Sequence, residues 1–324
     1  MPLPPPPSSP RETPRASGRP LPQPNGPPAT TPGDTLTCYR HPDRHAGRRC
    51  TRCGKPACAS CLVQASVGSH CVDCAKSAKP DLRTRARFWS AGQQNLVTMC
   101  LIGANVAVFL GVLLWTQDVG ALTGSLTEAH FQLGLSKDIL AFGDAGLLNG
   151  EFVVAEPERW YRLVTSGFMH YGILHLAFNM YFLYMLGPML ERSLGRVRFA
   201  LLYFASLLGG SLGVIVIDQG ALAAGASGAV FGMLAAAAVG LWRQGVNPFT
   251  TGIGTVLLLN LFITFAIPGI AIGGHLGGAA VGALCALVML APPHRAFPTW
   301  ATYATPIALG LGSIVLSVML VNAA

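Results

Sequence analysis

Residues 270–291 read Ile270-AIGGHLGGAAVGALCALVML-Ala291, an unbroken apolar run in which His275 is the one basic or acidic side chain apart from the weakly acidic thiol of Cys285. The run suits a membrane-crossing helix, which needs roughly 20 residues. An ionisable group inside a span is costly to keep and by default marks a functional position. Gly274, Gly278 and Gly282 stand four apart, a spacing that lets neighbouring helix backbones approach closely. The stretch therefore predicts a tightly packed membrane helix with a histidine retained for its chemistry.

Six further stretches are long and apolar enough to be spans, at approximately 95–115, 167–190, 199–217, 222–242, 250–267 and 302–321. The fifth in chain order is the weakest, because Pro268 and Gly269 leave almost no loop before residue 270. Across all 324 residues the chain is 51% hydrophobic and 11% charged, with a mean hydropathy of +0.47. That composition excludes an ordinary soluble domain and predicts an all-α polytopic membrane protein in the lipid bilayer. Of 22 Lys and Arg, 14 precede Phe88, so the basic charge is local and no nucleic-acid partner is expected.

Charge also orients the spans, because short cytoplasmic loops concentrate Lys and Arg. No charged and then apolar leader opens the chain, so the N-terminus is expected in the cytoplasm. Lys76, Lys79, Arg83, Arg85 and Arg87 then lie inside, followed by Arg192, Arg196 and Arg198, by Arg243, and by Arg295. The loop between the first two spans is acidic and falls outside, as does the C-terminus. Residues 1–36 carry 13 of the 24 prolines and are expected to be a disordered tail.

Seven of the nine cysteines fall between positions 38 and 74. They form Cys38-x2-His41, Cys50-x2-Cys53, Cys58-x2-Cys61 and Cys71-x2-Cys74. Ligands two residues apart share one ion, and two such pairs complete a closed tetrahedral Zn²⁺ site. Four pairs imply two structural Zn²⁺. The short gap between the second and third pairs favours interleaving, pairs one and three on one ion, two and four on the other. His45 and His70 could each replace a ligand. A disulfide framework is the alternative, and a reducing cytoplasm disfavours it. Cys100 and Cys285 lie within spans and read as packing residues.

A second segment, Gly225-Ala226-Ser227-Gly228-Ala229-Val230-Phe231-Gly232, opens the span at 222–242. In the derived topology Ser227 and His275 each lie about six residues into spans that start outside, roughly 9 Å down at ~1.5 Å per residue. Ser227 is then a nucleophile activated by a His275 base. His175 and Asn179 share a helical face and offer donors to an oxyanion. Helix packing is the plainer reading of either, and of His170 near that span's start. Phe231 could stack on the imidazole. No Asp or Glu lies in the body of any span, so a dyad must serve.

These residues resemble those of the rhomboid intramembrane proteases, over about 95–291. Gly225-Ala226-Ser227-Gly228 matches the family's G-x-S-x motif, and His275-x2-Gly278-x3-Gly282 its H-x2-G-x3-G span. His170, His175 and Asn179 meet its HxxxxHxxxN element, and Trp160-Tyr161-Arg162 resembles its Trp-Arg element. The resemblance implies a six-helix protease core at 95–291 with Ser227 and His275 catalytic. It adds His175, Asn179, Gly225 and the Ser227 N–H as the stabilising group, with His170, Arg162 and Phe231 in support. It implies a hydrolase, a serine endopeptidase without a catalytic cofactor, cutting transmembrane protein substrates near the outer leaflet. Phe231 stands where the family often has tyrosine. Residues 37–76 resemble a B-box zinc finger with an unknown cytoplasmic partner. A basic linker at 77–94 and a seventh helix within 292–324 complete what resembles an extended bacterial cell-membrane type. The rival is a rhomboid-like protein that binds or traffics membrane clients without cutting them. A transporter is disfavoured by the lack of intramembrane acids.

Overall fold

The structure is a computed structural model that describes residues 36–65, 67–77, 84, 95–148, 151–218 and 220–323. The expected Pro-rich tail lies outside these residues apart from Leu36, and the expected linker apart from Ser77 and Thr84. The chain divides into two compact units, Met1–Phe88 and Trp89–Ala324.

The first unit has two small antiparallel pairs. Strand β1 (Arg48–Arg49) pairs with β2 (Pro56–Ala57), and β3 (Leu62–Gln64) with β4 (Ser69–Cys71). A short helix α1 (Val72–Ser77) follows. Its apolar centre is Cys38, Ala57, Cys58 and Cys61, backed by Tyr39 and Leu62. So small a core cannot hold a fold of this size, and other cross-links must add to it.

The second unit is built from helices. Helix α2 (Leu96–Thr116) leads into a long connection with α3 (Glu128–Leu133), α4 (Lys137–Phe142), a hairpin of β5 (Asp144–Leu148) and β6 (Glu151–Ala155), and α5 (Arg162–Thr165). Then come α6 (Gly172–Leu194), α7 (Arg196–Ile217), α8 (Ser227–Arg243), α9 (Ile253–Ala266), α10 (Ile272–Met289) and α11 (Thr299–Asn322). Five of these, α2, α6, α7, α10 and α11, are long and apolar enough to cross a membrane. The chain is an integral membrane protein.

Each of the seven expected spans contains a helix, but α8 and α9 are shorter, at 17 and 14 residues. For α8 the reason lies in residues 222–226, which were expected to be helical. Leu135 and Ala223 exchange backbone N–H to carbonyl bonds of 2.9 and 2.7 Å, and Gly225 N donates to Ser166 O at 2.9 Å. This segment has protein partners for its peptide groups, which permits extended backbone within a membrane protein. The hairpin β5–β6 was not foreseen, although Asn149-Gly150 is a strong hairpin signal in sequence.

Glycine sets the packing of α10. A Cβ on Gly273 would lie 2.1 Å from Gly213 O, and one on Gly277 would lie 2.2 Å from Gly209 O, both in α7. A Cβ on Gly278 would lie 2.0 Å from Gly228 O, and one on Gly282 would lie 2.1 Å from Gly232 O, both in α8. Two stripes, not the one read from Gly274, Gly278 and Gly282, thus press α10 against two helices. The acids at span ends cap helices. Glu191 accepts from Val97 N, Thr98 N and Thr98 Oγ1 at 3.0, 2.9 and 2.7 Å, at the start of α2. Asp218 accepts from Gly273 N and Gly274 N at 2.8 and 3.3 Å, at the start of α10.

Candidate active site

Two clusters in the first unit could hold metal, Cys38/His41/Cys58/Cys61 and Cys50/Cys53/Cys71/Cys74, each with its ligand atoms within 4.8 Å of one another. Pairs one and three meet, as do two and four, which is the interleaved arrangement read from the spacing. His41 Nδ1 lies 3.8, 3.5 and 3.3 Å from the Sγ atoms of Cys38, Cys58 and Cys61, and Cys53 Sγ lies 3.7 Å from Cys71 Sγ. Ligands on a tetrahedral ion with ~2.3 Å bonds to sulfur stand about 3.8 Å apart. The donor sets therefore fit a four-coordinate, closed metal site. His45 and His70 belong to neither cluster.

In the helical unit, Ser227 is the first residue of α8 and His275 the fourth of α10. This corrects the expectation that each lies about six residues into its helix, since the chain enters both helices later than apolarity alone indicated. Phe231, one turn after Ser227, stacks on His275 with ring centroids 4.0 Å apart and 15° between planes. The backbones also meet, because a Cβ on Gly228 would lie 3.2 Å from Gly274 O. Phe231 and His275 are both buried.

His275 has a partner that the sequence reading missed. Thr264 Oγ1, on α9, lies 2.7 Å from His275 Nδ1 and also donates to Asn260 O at 2.8 Å. A hydroxyl has one proton. With that proton on Asn260 O, Thr264 accepts, and Nδ1 of His275 carries the hydrogen.

His175 is oriented the opposite way. Tyr171 N donates to His175 Nδ1 at 3.3 Å, so the ring proton sits on Nε2. A Cβ on Gly225 would lie 2.9 Å from His175 Nε2 and 3.6 Å from Ser227 Oγ. Gly225 has φ +134°, a conformation open to glycine. Its missing side chain thus leaves a gap onto which a donor N–H and the serine hydroxyl converge. Asn179 is buried and donates from Nδ2 to His175 O at 2.9 Å, leaving a second amide hydrogen.

His170 precedes α6 and does not sit within it. Its Nδ1–H donates to Phe168 O at 3.2 Å, and its Nε2 accepts from Ala226 N at 3.5 Å, bracing the chain just before Ser227. His130, also missed, accepts at Nδ1 from Thr127 N at 3.2 Å and donates from Nε2 to His170 O at 3.3 Å. Burial lowers its pKa, so it is neutral at pH 7. Its ring stacks on Tyr171, whose hydroxyl donates to Leu222 O. Arg162 is fully buried and donates to Phe131 O and, at 3.2 Å, to Gly134 O. It holds the long connection and does not reach Ser227 by any contact among the described residues. Beside Ser227 lies a cavity of about 40 Å³ whose lining includes Ser166, Ser211, Gly210 and Gly274, room for about three or four waters at roughly 10–15 Å³ each.

Residues 157–292 match the family model of the rhomboid domain. Among similar curated proteins, RHOMBOID-like protein 4 of Arabidopsis thaliana is 31% identical over 210 residues, 60% of this chain and 52% of that one. Rhomboid protease GluP of Bacillus subtilis is 36% identical over 148 residues, 45% of this chain and 29% of that one. Rhomboid-type serine protease 2 of Emericella nidulans is 32% identical over 145 residues, 43% of this chain and 28% of that one. The chain thus spans about half of the first relative and under a third of the other two. Residues 157–292 thus resemble a rhomboid domain, and the chain is similar to proteins named as rhomboids.

Proposed function

We propose that this chain is an intramembrane serine endopeptidase that cuts transmembrane segments of other membrane proteins. Ser227 Oγ attacks the carbonyl carbon of the scissile bond, and its proton passes to Nε2 of His275. The oxyanion accepts from His175 Nε2–H, from the second amide hydrogen of Asn179, and from Ser227 N–H. That last donor opens α8 and so has no carbonyl to serve within the helix. Collapse returns the proton from His275 to the leaving amine and leaves an acyl-enzyme. Water, deprotonated by the same imidazole, hydrolyses it. The observation that carries this reading is the convergence of His175 Nε2 and Ser227 Oγ on the gap at Gly225, 2.9 and 3.6 Å away. Two of the similar proteins are named as proteases, which supports the same reaction class.

Fluorophosphonate labelling of the purified protein beside Ser227→Ala tests the reading. The native chain should label and the variant should not. Ser227→Ala and His275→Ala should each abolish cleavage of a single-span substrate with thermal unfolding unchanged, since nucleophile and base act as one unit. Labelling that persists in Ser227→Ala would refute the assignment.

The reading extends to the rest of the molecule. Cys38, His41, Cys58 and Cys61 would hold one Zn²⁺, and Cys50, Cys53, Cys71 and Cys74 another, in a B-box-like finger. Such ions supply folding free energy and no catalytic step. The basic loops support an N-terminus in the cytoplasm and a C-terminus outside, with cleavage near the outer leaflet. Reporter fusions after Arg243 and after Ala324 should then report opposite sides.

A further inference from the structure

Helix α9 is lipid-like over most of its surface. Of its fourteen residues only Gly254 and Thr264 are buried, while Leu258, Leu259, Phe262 and Phe265 are exposed. Thr264 is therefore the one buried polar side chain that α9 contributes, 1% exposed, and it ends at the imidazole of His275. Its hydroxyl needs no second partner, because the Asn260 carbonyl at 2.8 Å already satisfies its hydrogen, a bond that serines and threonines in helices commonly make. The contact with His275, 2.7 Å long, therefore acts on the histidine more than on the threonine.

We propose that Thr264 is a positioning residue for the base, accepting the Nδ1 hydrogen of His275 and so holding the imidazole in the tautomer whose Nε2 lone pair faces the nucleophile. The proposal rests on His275 being the base. A histidine with a free Nδ1 divides itself between two tautomers, and only one can take a proton at Nε2. Serine hydrolases outside membranes commonly meet this need with a carboxylate, and mispositioning the tautomer there is costly. Here Glu191 and Asp218 cap α2 and α10 and neither reaches Nδ1. Phe231 fixes the plane of the ring but is indifferent to which nitrogen bears the hydrogen. Among the described residues, Thr264 is the group that distinguishes the two nitrogens. It is neutral, so it orients the imidazole and only mildly favours the imidazolium, by accepting a stronger hydrogen bond from the charged ring.

The test uses the full-length protein in liposomes with a single-span substrate, comparing Thr264→Val, Thr264→Ala and Thr264→Ser. Both apolar variants should lose roughly 10- to 100-fold in kcat, below or within the roughly 10²- to 10⁴-fold range of general base catalysis. KM should stay within about twofold, because Thr264 does not touch the substrate. The rate of fluorophosphonate labelling should fall in parallel. The acid limb of the kcat/KM profile should move to lower pH, since loss of the acceptor removes stabilisation of the imidazolium. Thr264→Ser, which keeps the oxygen, should recover most of the rate. Thermal unfolding shows whether each variant is folded, and the alanine variant stands in if the valine does not fold. Native-like kcat and labelling in a folded apolar variant would overturn the proposal, and so would a serine variant as impaired as the valine one. If native protein neither cleaves nor labels at Ser227, the protease reading itself fails. If it does both while Thr264→Val is indifferent, only the role of Thr264 fails.

Discussion

At the scale of single residues, the candidate site depends on hydrogens whose positions are set by neighbours. His175 and His275 are the same side chain in opposite tautomers, one made a donor toward the Ser227 side by Tyr171 N and the other made an acceptor by Thr264 Oγ1. Loss of one oxyanion donor typically lowers rate by roughly 10²- to 10³-fold. His175→Ala and Asn179→Ala should each fall in that range in kcat, short of the complete loss expected for Ser227→Ala. Either variant retaining full rate at equal expression would return that residue to helix packing. Gly225→Ala is a sharper probe of the gap. Its Cβ would stand 2.7 Å from His175 Cε1 and 2.9 Å from Nε2, in a backbone conformation that L residues rarely adopt. Cleavage should drop at least ~100-fold, read by substrate kinetics alongside thermal unfolding. Ser227, His275, His175 and Asn179 stood out in the sequence as candidates because polar residues are rare in apolar spans. Thr264 was not, because a threonine in an apolar helix is ordinarily unremarked, and its partner lies beyond the Pro268-Gly269 turn.

At the scale of elements, α10 is held by backbone contact on two sides. Gly278→Ala would drive a Cβ to 2.0 Å from the carbonyl oxygen of Gly228, and backbone cannot yield as a flexible side chain does. Overpacking of this kind costs about 1–3 kcal/mol or more, so the variant should unfold at lower temperature or denaturant than the native protein. Gly312→Ala, where nothing lies within 4 Å, should be close to neutral, and equal unfolding of the two would contradict the packing account. The start of α2 offers a second case. Glu191→Ala leaves the amides of Val97 and Thr98 without their acceptor, at a cost of about 1–2 kcal/mol by analogy with helix N-caps, while Glu191→Gln should lose less because its amide oxygen still accepts. Denaturation in detergent would rank the three. Span existence was legible from apolarity alone, but span ends were not. Residues 222–226 are as apolar as a helix, and what pulls them straight is pairing with Leu135 and Ser166, residues far away in the chain.

At the scale of the whole molecule, the two units are stabilised by different physics. The helical unit buries leucines, alanines and glycines, while the first unit has a core of few residues beside two clusters that could hold metal. Purified protein should hold two Zn²⁺ per chain, and a strong chelator should melt residues 36–77 by circular dichroism or limited proteolysis. Cys58→Ser should lower the content toward one ion, because the second cluster draws no ligand from the Cys58–Cys61 pair. A metal content near zero in protein purified without chelator would sink the expectation. What the sequence by itself determined follows from local rules. Hydropathy is summed over neighbouring residues, so it announces a polytopic helical membrane protein, and ligand spacing is a property of short loops, so it announces four Cys/His pairs and the interleaved way in which they meet. Only the tertiary structure decided that Ser227 opens its helix, that α10 carries two glycine stripes, and that Thr264 and Tyr171 set the tautomers of two histidines. Each of these depends on backbone or side-chain atoms from separate elements meeting within hydrogen-bond or van der Waals distance, a condition that no local pattern of residues encodes.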